Sequence, residues 1–139
     1  MQSQKQKGEL LGEVKGKTIS WTIKAVTPDG INIDSNDEGQ FSGKWNGGHV
    51  ETVDVWLKAD GTTPWSVKGF QATPEGDVVA FTGSGNGKLA GQGKGTWWGE
   101  CTMMTGSPRL AWLNGKKVWV EGQGNQISKE FWIKLYAIK

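Results

Sequence analysis

The sequence has one cysteine, one histidine, one arginine, one tyrosine and only four prolines. A single Cys101 admits no internal disulfide, so the fold must stand on packing and hydrogen bonds. An unpaired thiol also suits a reducing compartment. One histidine and one cysteine do not make a zinc site, and no close carboxylate cluster replaces them, so no metal or other cofactor is expected. Arg109 is the sole arginine, the residue best suited to bidentate phosphate and base-edge contacts. With 16 basic residues against 14 acidic ones, this excludes a dedicated nucleic-acid binder. No run approaches the length of a spanning helix, and the N-terminus shows no apolar leader. The expectation is a soluble, cytoplasmic protein that does not insert into a membrane.

What is abundant is glycine, at 22 residues, and tryptophan, at nine. Flexible tethers are glycine-rich but lack aromatics, because they build no core. The composition therefore indicates one folded domain, assigned to residues 9–139, behind a frayed polar segment at residues 1–8. Turn signals recur at TPDG (27–30), NGG (46–48), ADGT (59–62), TPEG (73–76), NG (86–87) and NG (114–115). Asn-Gly and Asp-Gly accept the positive φ of tight hairpins. Between these signals apolar residues alternate. Ile19, Trp21, Ile23 and Ala25 share one face, as do Val53, Val55 and Leu57. So do Val118 and Val120, and Phe131, Ile133, Leu135 and Ala137. No segment carries a helical stripe. The pattern is all-β, roughly eight to ten short antiparallel strands in a single barrel, since closure removes exposed edges.

The stretch GSGNGKLAGQGKGTWW (83–98) raises a phosphate-binding reading, which its spacing refutes. Gly87-Lys88 lacks the upstream glycine and downstream hydroxyl of a Walker loop. The near-match at Gly85, Gly87 and Ala90 is followed by glycine and then a strand-like TWWGECTMMT, where a dinucleotide site needs a helix. A hairpin turning at Asn86-Gly87 fits better. It leaves Gly91, Gly93 and Gly95 as a face without side chains, available to a tryptophan ring or to a ligand.

Candidate chemistry is sparse. His49 and Glu51 fall on one strand face with Val53, either as a His–carboxylate pair at a barrel mouth or as a solvated strand end after NGG. Glu100 lies with Trp98 and Met104, and is either a carboxyl of raised pKa or a surface group. Cys101, with Trp97 and Met103, reads as a buried thiol rather than a nucleophile. Arg109 in TGSPRLAWLNG reads as a structural ion-pair partner of Glu100 or Glu121, after a turn or extended segment at Ser107-Pro108. Trp119 shares a face with Lys117 and Glu121, and Trp132 with Lys134 and Tyr136. If those faces point inward they form an amphipathic pocket. If they point outward they form an aromatic belt that implies a subunit interface. In both cases a homo-oligomer is expected. Lysine stems draped over single tryptophans on a monomer surface are the third arrangement.

At GSGNGKLAGQGKGTW the chain resembles the allene oxide cyclase-like and dirigent-like small barrels, a calycin-like architecture. DGTTPWSVKGF, GDVVAFTGSGNGK and TGSPRLAWLNG are similar to small bacterial and archaeal domains of unassigned function. Together these stretches span roughly residues 39–125. The resemblance implies an eight-stranded barrel with a central cavity that takes a small hydrophobic or amphipathic molecule, and it brings no catalytic residue. The expected ligand-binding residues are Gly91, Gly93, Trp97, Trp98, Trp119, Trp132, Lys134 and Tyr136. For a cofactor-free isomerase or cyclase, the candidate acids and bases are His49, Glu100 and Tyr136. An oligomerising barrel without a ligand is the remaining alternative.

Overall fold

The computed structural model describes residues 7–138, which form eight antiparallel strands closed into a barrel. They are β1 (Lys7–Thr27), β2 (Gly30–Gly43), β3 (Asn46–Lys58), β4 (Trp65–Ala72), β5 (Val78–Leu89), β6 (Lys94–Thr105), β7 (Lys117–Asn125) and β8 (Glu130–Ile138). Each strand pairs with the next, and β8 returns to β1. This is the architecture the turn spacing predicts. Lys7 and Gly8 already belong to β1; the rest of the expected frayed segment, residues 1–6, lies outside the described residues.

Alternation decides what fills the barrel. Val118, Val120, Phe131, Ile133 and Leu135 are buried in one core, with Val53 and Val55 packed against it. The aliphatic face of β8 therefore points inward, and Trp132, Lys134 and Tyr136 point outward. In β1 the expected alternation is broken by bulges between Thr18 and Ser20 and between Ile23 and Ala25. Each bulge adds one residue and reverses the alternation. Ile19 and Ala25 thus leave the face that Trp21 and Ile23 share.

One end of the barrel is closed. Between β6 and β7, where a turn or extended segment is expected, Pro108–Leu113 forms a 3₁₀ helix with proline in its first turn, the position where its missing N–H costs least. Leu110 and Leu113 are buried against the core cluster that includes Phe41, Trp45 and Met103. The Phe41 and Trp45 rings stack at 4.3 Å, and Trp112 meets Trp45 edge-on at 6.0 Å. Arg109 pairs with Asp77 and Glu75, not with Glu100 or Glu121. Both expected partners lie on the barrel wall, whereas the β4–β5 turn runs beside the helix. The Ser107 hydroxyl, then Arg109, hold the Asp77 carboxyl down to about 2.

The glycine-rich hairpin is built differently from its sequence expectation. β5 runs through Asn86-Gly87 without turning, and the turn falls at Ala90–Gly93, where Gln92 and Gly93 take φ of 67° and 77°. The pairing is Gly83 to Cys101, Gly85 to Gly99 and Gly87 to Trp97. The bare inward face is therefore Gly83, Gly85 and Gly87. Trp65 occupies it. A Cβ on Gly85 or Gly99 would stand 2.7 or 2.8 Å from its ring, and the indole N–H donates to the Asn86 carbonyl at 2.9 Å. Burial of one large ring outweighs the local turn preference of Asn-Gly.

Candidate functional site

The end opposite the 3₁₀ helix is open and leads into a cavity of about 190 Å³. Its walls are mainly apolar, with Val53, Val55, Val67, Phe81 and Ile133 among them. Trp97 also lines it, its ring seated over Gly122 and Gly124 of β7. Trp21, Leu57 and Leu89 border the entrance. An engineered apolar cavity of about 150 Å³ admits benzene, so this one has room for a compact molecule of one or two rings.

Strand register places a polar row across this apolar surface. Asp37 on β2 lies directly opposite Thr18 on β1 and Glu51 on β3. One step deeper, His49 on β3 lies opposite Gln71 on β4. Asp37, His49, Glu51 and Gln71 are all buried. The hydroxyls of Thr18 and Ser35 each donate to Asp37 Oδ1 at 2.8 Å. His49 Nε2 lies 2.6 Å from Glu51 Oε1, and Gln71 Nε2 lies 3.0 Å from His49 Nδ1. Trp45 Nε1 donates to Gln71 Oε1 at 2.6 Å. The His49 imidazole also stacks on Phe81 at 5.2 Å.

Two carboxyls side by side in an apolar wall resist carrying two charges. Burial first, then the charge of Glu51 and a hydrogen bond to it, push Asp37 up to about 7, against the lowering effect of the Ser35 and Thr18 hydroxyls. A carboxyl held near neutrality lies in the range that suits a general acid or base. A buried polar cluster in a cleft with a displaced carboxyl is the physical mark of a functional site.

His49 and Glu51 are the expected pair on one strand face, and they lie deep inside rather than at a solvated strand end. Asp37 and Gln71 were not among the expected residues. Each joins the site through cross-strand register, which no local pattern in SNDEG or KGFQA reports. Of the expected ligand contacts, Trp97 lines the cavity and Gly93 lies at its entrance. Gly91 is exposed in the hairpin turn. Glu100 is exposed on the outer wall beside Trp119, so it does not face the cavity. Trp98, Trp119, Trp132, Lys134 and Tyr136 also lie on the outside, because alternation sends them opposite to Val118, Val120, Ile133 and Leu135. There they line a shallow groove with Lys7 and Glu121. Lys134 stands over the Trp132 ring at 4.6 Å and Lys7 over Tyr136 at 4.8 Å. Trp119 donates to Glu121 at 3.0 Å. Trp132 Nε1 is buried without a hydrogen-bond partner among the described residues. Cys101 is buried on the inner wall, and burial, with the Glu51 and Glu100 charges, pushes its thiol up to about 12, far from a nucleophile's range. Among the described residues no group of three metal-ligating side chains converges, and no helix is long and apolar enough to cross a membrane.

No family model matches the sequence, and no curated protein matches it either. Solved structures do match its fold. A protein of unknown function from Clostridium acetobutylicum superposes with a TM-score of 0.81 at 14% identity, over 94% of this chain and 98% of its own. A β-barrel-like protein from Acinetobacter baumannii gives 0.76 at 16% identity, over 94% of both chains. An enzyme from Penicillium herquei gives 0.73 at 18% identity, over 96% of both chains. At such identities the likeness establishes the small β-barrel fold over nearly the whole chain, and that alone.

Proposed function

We propose that this barrel binds a compact, largely apolar molecule and moves protons on it, as a cofactor-free isomerase or cyclase does. The observation that carries this reading is the buried Asp37–Glu51–His49 cluster at the floor of an open apolar cavity. Burying two carboxyls costs stability that an aliphatic lining would not. Such a cost is met repeatedly at sites that do acid–base chemistry. In this scheme Asp37 gives its proton to a carbonyl or leaving oxygen of the ligand. The Glu51 carboxylate, hydrogen-bonded to His49, accepts a proton from a carbon or hydroxyl of the same molecule. The ligand is isomerised, and the pair regains its starting state by passing one proton across, so no oxidant or reductant is needed. The resemblance to allene oxide cyclase-like and dirigent-like barrels agrees with a cavity reaction. The unpaired Cys101 agrees with a cytoplasmic setting.

A general test needs no knowledge of the natural substrate. Compact cyclic ketones are titrated by intrinsic tryptophan fluorescence, with Trp65 and Trp97 at the cavity as reporters. Exchange of their α-hydrogens with deuterated water is then followed by NMR. Binding is expected, with exchange above the buffer rate that falls about 100-fold or more in Glu51→Gln, the range typical of a lost acid–base group. Absence of both binding and exchange across the panel refutes the reading.

The outer groove supports a second, independent reading. Trp98, Trp132 and Tyr136 stand half-buried along the groove beside the buried Trp119, and the Trp132 N–H, without an acceptor among the described residues, calls for one. We infer self-association through this face. Light scattering is expected to report an oligomer that Trp132→Ser weakens; a wild-type monomer at high concentration contradicts it.

A further inference from the structure

The hydrogen-bond chain that runs from Trp45 into the cavity wall fixes where each proton sits. An indole N–H only donates, so Gln71 must present its carbonyl oxygen to Trp45 at 2.6 Å. Its amide nitrogen is then the atom 3.0 Å from His49 Nδ1. That amide can only donate, so Nδ1 is the unprotonated ring nitrogen. The remaining hydrogen lies on Nε2 and is donated to Glu51 Oε1 at 2.6 Å. All four residues are buried, Gln71 and Trp45 at 0% and 4% exposure, so water does not offer an alternative set of partners.

We propose that Gln71 and Trp45 are positioning residues that hold His49 as the neutral Nε2–H tautomer and thereby keep the site's mobile proton on the Asp37–Glu51 pair, facing the cavity. The inference rests on the proton-transfer reading of the same site. With hydrogen on Nδ1, the Nε2 lone pair would face Glu51. A protonated Glu51 would then donate to the ring, and the proton would be tied up between Glu51 and His49, away from Asp37. With hydrogen on Nε2, Glu51 receives a donor and remains a carboxylate. Its other oxygen is left for Asp37, whose Oδ1 is taken by the Thr18 and Ser35 hydroxyls. The two carboxyls are cross-strand neighbours in the cavity lining, so the proton stays on the cavity surface, where a ligand oxygen can reach it. Trp45 stands outside the cavity lining, whereas His49 and Gln71 belong to its wall. All three act through Glu51.

The sequence makes the test clean, because His49 is its only histidine. Protein labelled with ¹⁵N at histidine is examined by two-dimensional NMR at neutral pH. The expected spectrum is a single neutral ring, protonated at Nε2 and unprotonated at Nδ1. Gln71→Glu replaces the amide donor by an acceptor. It is expected to place hydrogen on Nδ1 as well, giving an imidazolium between two carboxylates, and to cut ketone exchange by at least tenfold without abolishing binding. Trp45→Phe frees the Gln71 amide to turn over and is expected to admit the Nδ1–H tautomer alongside the other. A wild-type ring protonated at Nδ1, or a folded Gln71→Glu protein with an unchanged ring, overturns the proposal. Should Gln71→Glu not fold, the wild-type and Trp45→Phe spectra still decide it. A ring in the expected state, in a protein that neither binds nor exchanges any ketone, refutes the proposed function while leaving the proton assignment intact.

Discussion

Asp37→Asn should stabilise the protein in a pH-dependent way. The carboxyl is held up to about 7 in the fold against an ordinary value of 3.8. Between those two values the folded chain binds more protons than the unfolded one, so stability falls as pH rises and the loss is complete above pH 7. Each unit of displacement corresponds to about 1.4 kcal/mol, so roughly three units amount to about 4 kcal/mol. That is a substantial share of a typical folding free energy of about 5–15 kcal/mol. Asparagine keeps the oxygen that Thr18 and Ser35 address and offers an N–H to Glu51, but it cannot ionise. Urea denaturation of both proteins from pH 4 to pH 9 reads the difference. Near pH 4 the two midpoints should nearly coincide. By pH 8.5 the variant should be more stable by about 2–4 kcal/mol, while ketone α-exchange is lost. A difference independent of pH, or a wild type that gains on the variant as pH rises, would refute the assignment of Asp37 as a buried, proton-holding carboxyl.

Two further outcomes follow from the packing. Gly85→Ala places a methyl 2.7 Å from the Trp65 ring and against the Trp98 carbonyl; overpacking of this kind costs about 1–3 kcal/mol, measurable as a thermal midpoint lower by several degrees. Cys101, on the cavity wall with its thiol pushed up to about 12 by burial, should react with an aromatic disulfide reagent at neutral pH far more slowly than a free thiol. Rapid stoichiometric labelling of the native protein would contradict its placement.

The barrel was legible because its evidence is local. Each strand carries its own alternation, and the aliphatic sets at 53–57, 118–120 and 131–135 each mark out one face. His49 and Glu51 were legible for the same reason, being two residues apart on one strand. Asp37 and Gln71 were not, because they reach that pair across strands through a register that depends on the whole barrel. The turn at Asn86-Gly87 failed instructively. Its local preference is real, but Trp65 arrives from β4, twenty residues away, and needs the glycines beside it to stay extended. The bulges of β1 are equally silent in ISWTIKAV, where every residue suits a regular strand. The outward aromatics were visible as a face, yet the choice between inside and outside required knowing which of two apolar faces the closed barrel would take.

The short helix that carries Leu110 and Leu113 across the base of the barrel leaves one doorway. A bound molecule and the water it displaces would pass each other in the same opening. Exchange through such a dead-end channel is governed by the residues at its rim. Turnover, if limited by release, would then respond to substitutions at Trp21 or Leu89 more than to any change on the sealed side. The polar floor and the rim would be separate places in the sequence, open to selection one at a time.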